Sequence, residues 1–370
     1  PGPRYLALRD VVGLPAGAPE LLAARAAAHA SPPIAAILDD MQPEGYWVKP
    51  GPGYNPKYRS TVWALIALGQ LGATAAADAR IGRAGAYLLD HALAAGGQFS
   101  STSNGAPSGT IDCLQGNLLT ALLALGIDDP RLDGALEWMA RTVTGEGIAP
   151  AAERLRLRNE PRPPDAPRPR LPQPRRPKGA AEPPRYYAYK SGPLFACGIN
   201  GNQPCAWGGA KVLLAFGLLP ASRRTALIDH AIHQGAEYML SIDPATAGWP
   251  SYYTGKPNAS WWKFGFPVFY VTDILQVVEA LVGLGYGDDP RLANARALIA
   301  GKADAAGRWP LEYDYAGKMW PGVEFGARRQ PNKWVSIRAL RALAGRPVGA
   351  AGDSAAADGA AAHAGVGAHD

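Results

Sequence analysis

The sequence predicts an all-α protein that repeats one helical hairpin, and three observations predict it. An apolar helix closed by glycine recurs along the chain. A second helix between successive copies ends in a glycine–aromatic turn. Two of these second helices open with the same five residues.

The apolar segments run from Tyr58 to Gly72, Thr110 to Gly126, Pro204 to Gly217, Pro267 to Gly285 and Asn332 to Gly345. Each is apolar nearly all round, the pattern of a helix covered on both sides. Arg4 to Gly13 reads as the end of a sixth. The closing glycines stand 54 residues apart from Gly72 to Gly126 and 68 apart from Gly217 to Gly285. The 91 residues from Gly126 to Gly217 return to the fifties once a Pro/Arg-rich stretch is set aside. About six hairpins are expected.

The intervening helices are more amphipathic and end at Gly45-Tyr46-Trp47, Gly97-Gln98-Phe99, Gly248-Trp249 and Gly307-Arg308-Trp309. Glycine there suits a residue of positive φ just past a helix, and the aromatic can plug between hairpins. Asp-Asp-Pro-Arg-Leu occurs at Asp128 to Leu132 and at Asp288 to Leu292. Asp before Pro reads as a helix cap with Pro in the first turn.

Residues 1–149 and 185–345 are expected to be two parts of one repeat domain. Residues 150–184 form a Pro/Arg-rich insertion and 346–370 an Ala/Gly-rich tail. Both lack the apolar content that would offset ordering entropy, and both are expected to be disordered. The net charge of +6 resides in the insertion, where Glu153 to Arg185 carries ten basic and four acidic residues. A basic excess confined to an insertion argues against nucleic-acid binding by the folded domain. It leaves peripheral contact with an anionic membrane surface open. Apolar runs stop at about ten residues, half a membrane span, and Pro1 to Arg9 lack a signal-peptide core. Three cysteines in 370 residues fit a reducing, cytoplasmic setting rather than a disulfide framework. Without an initiator Met, an upstream segment stays open.

Hairpins with apolar inner helices and Gly-x-Trp turns resemble the terpenoid cyclase and protein prenyltransferase superfamily. Met41-Gln42-Pro43-Glu44-Gly45-Tyr46-Trp47 is similar to a shortened Gln-…-Gly-x-Trp motif of squalene–hopene cyclases. The resemblance covers Arg4 to Gly345 without the insertion. It implies an α/α toroid: six inner helices around an apolar cavity, six outer helices on the rim, and an isoprenoid-like guest. The Asp-x-Asp-Asp acid motif of class II cyclases is missing. Its nearest match, Asp39-Asp40, reads as a solvated face.

Three constellations are candidates for chemistry. Asp112, Cys113, Cys197 and Cys205 fall at or just before helix starts, where three thiolates and a carboxylate could hold a tetrahedral zinc. The other reading is small buried thiols. Asp273 follows an aromatic run containing Phe266, Phe269 and Tyr270. A buried acid among rings could protonate an alkene, or it could cap a backbone group or pair with Lys263 or Arg338. Arg59, Gln115, Asn117, Lys333 and Arg338 stand near helix heads, with Trp63, Trp207 and Trp334 beside them. Facing a cavity mouth, they would bind substrate and its polar head; facing solvent or each other, they would be exposed charge or helix pairing. The expected function is cyclisation or transfer of an isoprenoid-like substrate, with Asp273 as catalytic acid if protonation starts it, or Asp112 and the three cysteines holding a catalytic zinc if it is thiol or prenyl transfer. The alternative is a lipid- or protein-binding scaffold, with or without structural zinc.

Overall fold

The structure, a computed structural model, describes residues 1–94, 96–102, 110–147, 191–251, 255–315 and 317–344. The whole of the insertion 150–184 and of the tail 346–370 lies outside these residues, so the expected disorder of both falls outside the description. The described chain is all-α apart from one small sheet. Its helices are α1 (Gly2–Ala7, running on as a π-helical turn Leu8–Val12), α2 (Pro19–His29), α3 (Pro32–Asp39), α4 (Thr61–Leu71), α5 (Ala79–Ala92) and α6 (Asp112–Ala124). They continue as α7 (Arg131–Thr144), α8 (Ala206–Gly217), α9 (Ala226–Leu240), α10 (Ile274–Gly283), α11 (Ala293–Gly301) and α12 (Lys333–Ala344). Strands β1 (Ser191–Gly192), β2 (Ala196–Cys197) and β3 (Gln203–Pro204) pair antiparallel in that order.

The apolar segments form α4, α6, α8, α10 and α12, and they are the buried core. α4 packs on α6, α6 on α8, α8 on α10, α10 on α12 and α12 on α1. Gly72, closing α4, abuts Tyr5 and Leu6 of α1. The amphipathic helices each lean on this set: α2 on α1, α3 and α5 on α4, α7 on α6, α9 on α8, and α11 on α10 and α12.

The closest approach is between α6 and α8. A Cβ on Gly116 would lie 2.3 Å from the Lys211 carbonyl carbon, and one on Gly208 would lie 2.9 Å from Asp112 Cβ. These two glycines let the helix backbones touch, which draws the start of α6 against the start of α8.

Two devices repeat around the outside. Trp47 and Trp309 are buried, and each indole N–H donates to a carbonyl ten residues back, Ile37 and Ile299, at 2.6 Å. Phe99 fills the equivalent place without a donor. Asp78, Asp129 and Asp289 each accept from the N–H of the arginine two residues on, namely Arg80, Arg131 and Arg291. Each arginine also reaches an acid of the preceding amphipathic helix: Asp39 at 3.0 Å, Asp90 at 2.5 Å and Glu237 at 2.9 Å.

One boundary differs from the sequence reading. The segment from Pro267 was expected to be helical throughout, but α10 starts at Ile274. Asp273 is its N-cap, accepting from the Gln276 N–H at 3.0 Å. An Asx cap fixes the preceding residue outside the helix, so Pro267 to Thr272 run as loop.

Candidate functional site

Close packing of α6 and α8 assembles the thiols. In the β2–β3 ladder Cys197 pairs with Gln203, and the Cys205 N–H donates to the Phe195 carbonyl at 3.0 Å. Cys197 and Cys205 are therefore diagonal neighbours on one face. Cys205, the residue before α8, makes side-chain contacts with both Cys197 and Cys113, and Cys113 lies in the first turn of α6. All three are free thiols. A bond to Cys113 and burial push Cys205 up to about 12, so it is a thiol and not a thiolate. Asp112 lies against this group but turns toward α7, where Thr142 Oγ1 donates to it at 3.4 Å. Burial, and secondarily Cys197, raise its carboxyl to about 7. Among the described residues no three His, Cys, Asp or Glu side chains are placed to hold a metal ion. The four expected ligands come together at the starts of α6 and α8, with the Asp112 carboxyl turned toward Thr142.

A chain of buried charge crosses the space between α10, α12 and the turn after α1. Arg338, 3% exposed, donates to both Asp273 oxygens at 2.8 and 2.9 Å and to Glu279 at 3.1 Å. Arg341 continues from Glu279 at 2.9 Å to Asp10 at 3.1 Å, and Asp10 also receives Arg9 at 2.5 Å. Burial alone would raise Asp10, but the two guanidiniums outweigh it and hold its carboxyl low. Three arginines meet three carboxylates, so the chain is neutral in itself. Beside it stands a fourth basic side chain, Lys211 of α8. Lys211 is 1% exposed, and its Nζ donates to Gln276 Oε1 at 2.7 Å. Burial lowers this amine to about 7, with Asp273 and Cys113 opposing and Arg338 assisting. With every nearby carboxylate already matched, nothing is left to hold an additional proton.

The two ends of this central space differ. At the N-terminal ends of the apolar helices, rings fill it. Tyr58 contacts Trp63, Phe269 and Tyr315 with centroids 5.1, 5.3 and 4.7 Å away. Tyr54 and Tyr270 lie against Trp63 at 5.6 and 5.4 Å. Toward the C-terminal ends a cavity of about 140 Å³ remains. Ile66 and Gly69 (α4), Ala121 and Ala124 (α6), Leu214 and Gly217 (α8), and Ala280 and Gly283 (α10) form its walls. Asn117, Gln276, Arg338 and Phe266 are its buried floor; Gly69, Ala124, Gly217 and Gly283 are its partly exposed mouth. It is a funnel, and Gln276 alone carries the hydrogen bond that links its floor to Lys211.

The expected site residues divide accordingly. Asn117, Phe266 and Arg338 line the funnel. Trp63, Phe269 and Tyr270 belong to the ring-filled end, and Trp334 stacks on Phe266 at 4.7 Å. Gln115 clamps the Phe99 N–H and carbonyl at 2.8 and 2.9 Å. Trp207 packs edge-on against Trp261. Arg59 and Lys333 are exposed at helix heads. The mouth was expected at those heads; the funnel opens at the other ends of the helices, while Lys333 lines a separate surface pocket with Arg4 and Asn332. Asp273 was read as an acid within a helix. It follows the alternative reading, a backbone cap paired with Arg338, its oxygens taken by Arg338 and the Gln276 N–H. Lys211, Gln276, Glu279 and Arg341 were not anticipated. For Lys211 and Glu279 the signal was present as single charges in the apolar strings GGAKVLLAFG and ILQVVEALVG.

No family model matches the chain, and no curated protein is significantly similar to it. Among solved structures, it is similar to a type II terpene cyclase from Scytonema in complex with its product, merosterolic acid A. Identity is 13%, coverage 88% of this chain and 96% of the other, and the TM-score 0.29, a weak match. No single described helix is long and apolar enough to cross a membrane.

Proposed function

We propose that α1, α4, α6, α8, α10 and α12 form the inner ring of an α/α toroid whose funnel binds one end of a small, largely apolar, isoprenoid-type molecule. The observation that carries this reading is the lining: α4, α6, α8 and α10 contribute isoleucine, alanine, glycine and leucine to one funnel, while α12 and the turn after α1 contribute Arg338, Arg341 and Arg9. Volume limits the guest. A core cavity of about 150 Å³ holds a benzene-sized molecule, so a funnel of about 140 Å³ takes roughly one isoprene unit, the remainder of a longer chain emerging from the mouth. Cyclisation of a whole polyene inside would need several times that space. Asp273 is held by Arg338 and does not face the funnel as a free acid, and Asp112 faces α7. Binding of a chain end is therefore favoured over protonation-initiated cyclisation.

Titration calorimetry with 3-methylbutan-1-ol and with farnesol tests the reading. Both should bind, and Gly217→Leu, whose side chain would project toward Gly283 across the mouth, should abolish binding while leaving the circular dichroism unchanged. Equal binding by that variant, or no binding of either alcohol to the parent chain, would sink it. A second reading keeps the thiol group as a zinc site, since Cys113, Cys197 and Cys205 do converge. About one zinc per chain, with all three thiols shielded from titration, would support that reading; no zinc with three titratable thiols would remove it.

A further inference from the structure

We infer that Lys211 is a carbonyl-capturing amine beneath the funnel, placed to form an imine with an apolar aldehyde that enters it head first. The inference rests on the funnel being a binding site and adds the chemical class of its guest.

Geometry carries it. Lys211 lies on α8, one turn before the funnel-wall residue Leu214. Its Nζ points across to α10 and donates to Gln276 Oε1 at 2.7 Å, and Gln276 is itself part of the floor. One amide side chain thus separates the amine from the end of the cavity. Gln276 is anchored through its backbone N–H on Asp273, so its side chain can turn without releasing the helix start. The funnel accepts about five or six carbons on the volume argument above, which places the leading atom of such a guest against Gln276.

The charge count supplies the second support. Asp273, Glu279 and Asp10 are each bonded to an arginine, so no carboxylate is left to keep the lysine charged. The charged and titratable groups that act on it are Asp273 and Glu279 with α10, Arg338 of α12 and Cys113 of α6. A neutral amine has the lone pair that imine formation needs, and a desolvated lysine is a recognised route to such a nucleophile. The lone pair attacks the aldehyde carbon, forming C–N as the C=O π pair moves to oxygen. The nitrogen proton passes to that oxygen, and the carbinolamine loses water: R–CHO and H₂N–Lys211 give R–CH=N–Lys211 and H₂O. No oxidant or further reactant is required. A purely structural lysine would need no position one side chain from an apolar cavity, and Met would fill the same volume.

The test uses 3-methylbutanal, which is funnel-sized and, being saturated, offers the three thiols only reversible hemithioacetal formation and no conjugate addition. The full chain is incubated at pH 7 with the aldehyde and cyanoborohydride, then mapped by peptide mass spectrometry. Lys211 should be alkylated at least tenfold faster than exposed Lys333 or Lys49. Gln276→Ala should accelerate labelling, and an excess of 3-methylbutan-1-ol should block it. Labelling of exposed lysines only, while the alcohol still binds, overturns the inference and leaves the funnel reading standing. Failure of the alcohol to bind removes that reading instead. Labelling of Lys211 that persists in Gly217→Leu shows another route to the amine and overturns the head-first placement. Lys211→Met should lose the adduct, but the parent chain decides the outcome even where that variant does not fold.

Discussion

The two ends of the helix set solve the same packing problem in opposite ways. At the N-terminal ends, Tyr54, Tyr58, Trp63, Phe269, Tyr270 and Tyr315 fill the centre with rings, and the thiols and buried acids lie around them. At the C-terminal ends, glycine and alanine face the centre and leave a funnel. Between the two lies the Asp273–Arg338–Glu279–Arg341 chain, with Lys211 beside it. The first end is bound together by contact; the second stays open where glycine and alanine line it, with Arg338, Glu279 and Arg341 along one side. Substitutions at the filled end should therefore change stability, and those at the open end should change what is bound.

The largest effect is expected at the boundary. Arg338→Ala would leave Asp273 and Glu279 buried without their shared partner, and breaking a buried pair on one side costs about 3–5 kcal/mol. Denaturant unfolding should show a fall of that size; a loss under about 1 kcal/mol would mean the charge chain is hydrated and the ends are not separated as described. Next comes the α6–α8 contact. Gly116→Ala puts a methyl 2.3 Å from the Lys211 carbonyl carbon, and overpacking of this kind costs about 1–3 kcal/mol. It should also part Cys113 from Cys205, so thiol titration of the folded variant should run faster than in the parent.

Much of the filled end was legible in the sequence. Helices apolar on every face announced their burial, the Gly-x-Trp turns announced Trp47 and Trp309, and cysteines at consecutive helix heads announced their convergence. The open end was not legible. Whether a set of packed helices is plugged or hollow depends on which loop side chains swing into it: Tyr54 and Tyr315 come from loops with no periodicity, and Tyr58, read as the head of an apolar helix, lies before α4, which starts at Thr61. Pro267 to Thr272 misled for a related reason: a short aromatic and β-branched run suits a buried loop as well as a helix. Lys211 stood out as a charge among apolar residues. Its partner, however, is 65 residues away in sequence on α10, and pattern alone does not supply that neighbour.

The pH dependence of stability offers a third way to sharpen the comparison, because the two shifted groups act in opposite senses. Asp112 rises from 3.8 to about 7 on folding. Between those values the folded chain holds a proton that the unfolded chain has lost, so stability falls as pH rises. Lys211 drops from 10.5 to about 7. Between those values the unfolded chain holds the extra proton, so stability rises with pH. Each slope is at most about 1.4 kcal/mol per pH unit, and together they place a minimum in their joint contribution near neutrality. Asp112→Asn should flatten the acid side and Lys211→Met the alkaline side, read from urea midpoints between pH 4 and 10. Unchanged slopes in both variants would show that neither group is as enclosed as the geometry has it.

At the open end, Gly283→Ala should separate stability from binding. A Cβ there would meet only Gly217, at 3.8 Å. Alanine in place of a helical glycine stabilises by up to about 1 kcal/mol, while its methyl narrows the mouth. A rise in melting temperature with at least a fivefold weaker affinity for 3-methylbutan-1-ol is the expected pair of results. Unaltered affinity would place the guest elsewhere.

The smallest effect is expected on the outer surface, and it isolates what burial contributes. Arg291 makes the same guanidinium–carboxylate bonds as Arg338, to Asp289 at 2.7 Å and Glu237 at 2.9 Å, but its side chain is 41% exposed. Water already solvates both partners, so removing one strands no charge, and exposed pairs are worth about 0.2–1 kcal/mol. Arg291→Ala should therefore cost about 0.5 kcal/mol, and most of that loss should vanish in 1 M salt, where the screening length falls to about 3 Å. Arg80→Ala and Arg131→Ala should behave alike, and the three losses should add, since the sites share no partner. A triple variant losing much more than the sum of its parts would mean that the repeated Asp-x-Arg device sets the spacing of the outer helices cooperatively. Simple additivity would leave that spacing to the buried aromatics Trp47, Phe99 and Trp309.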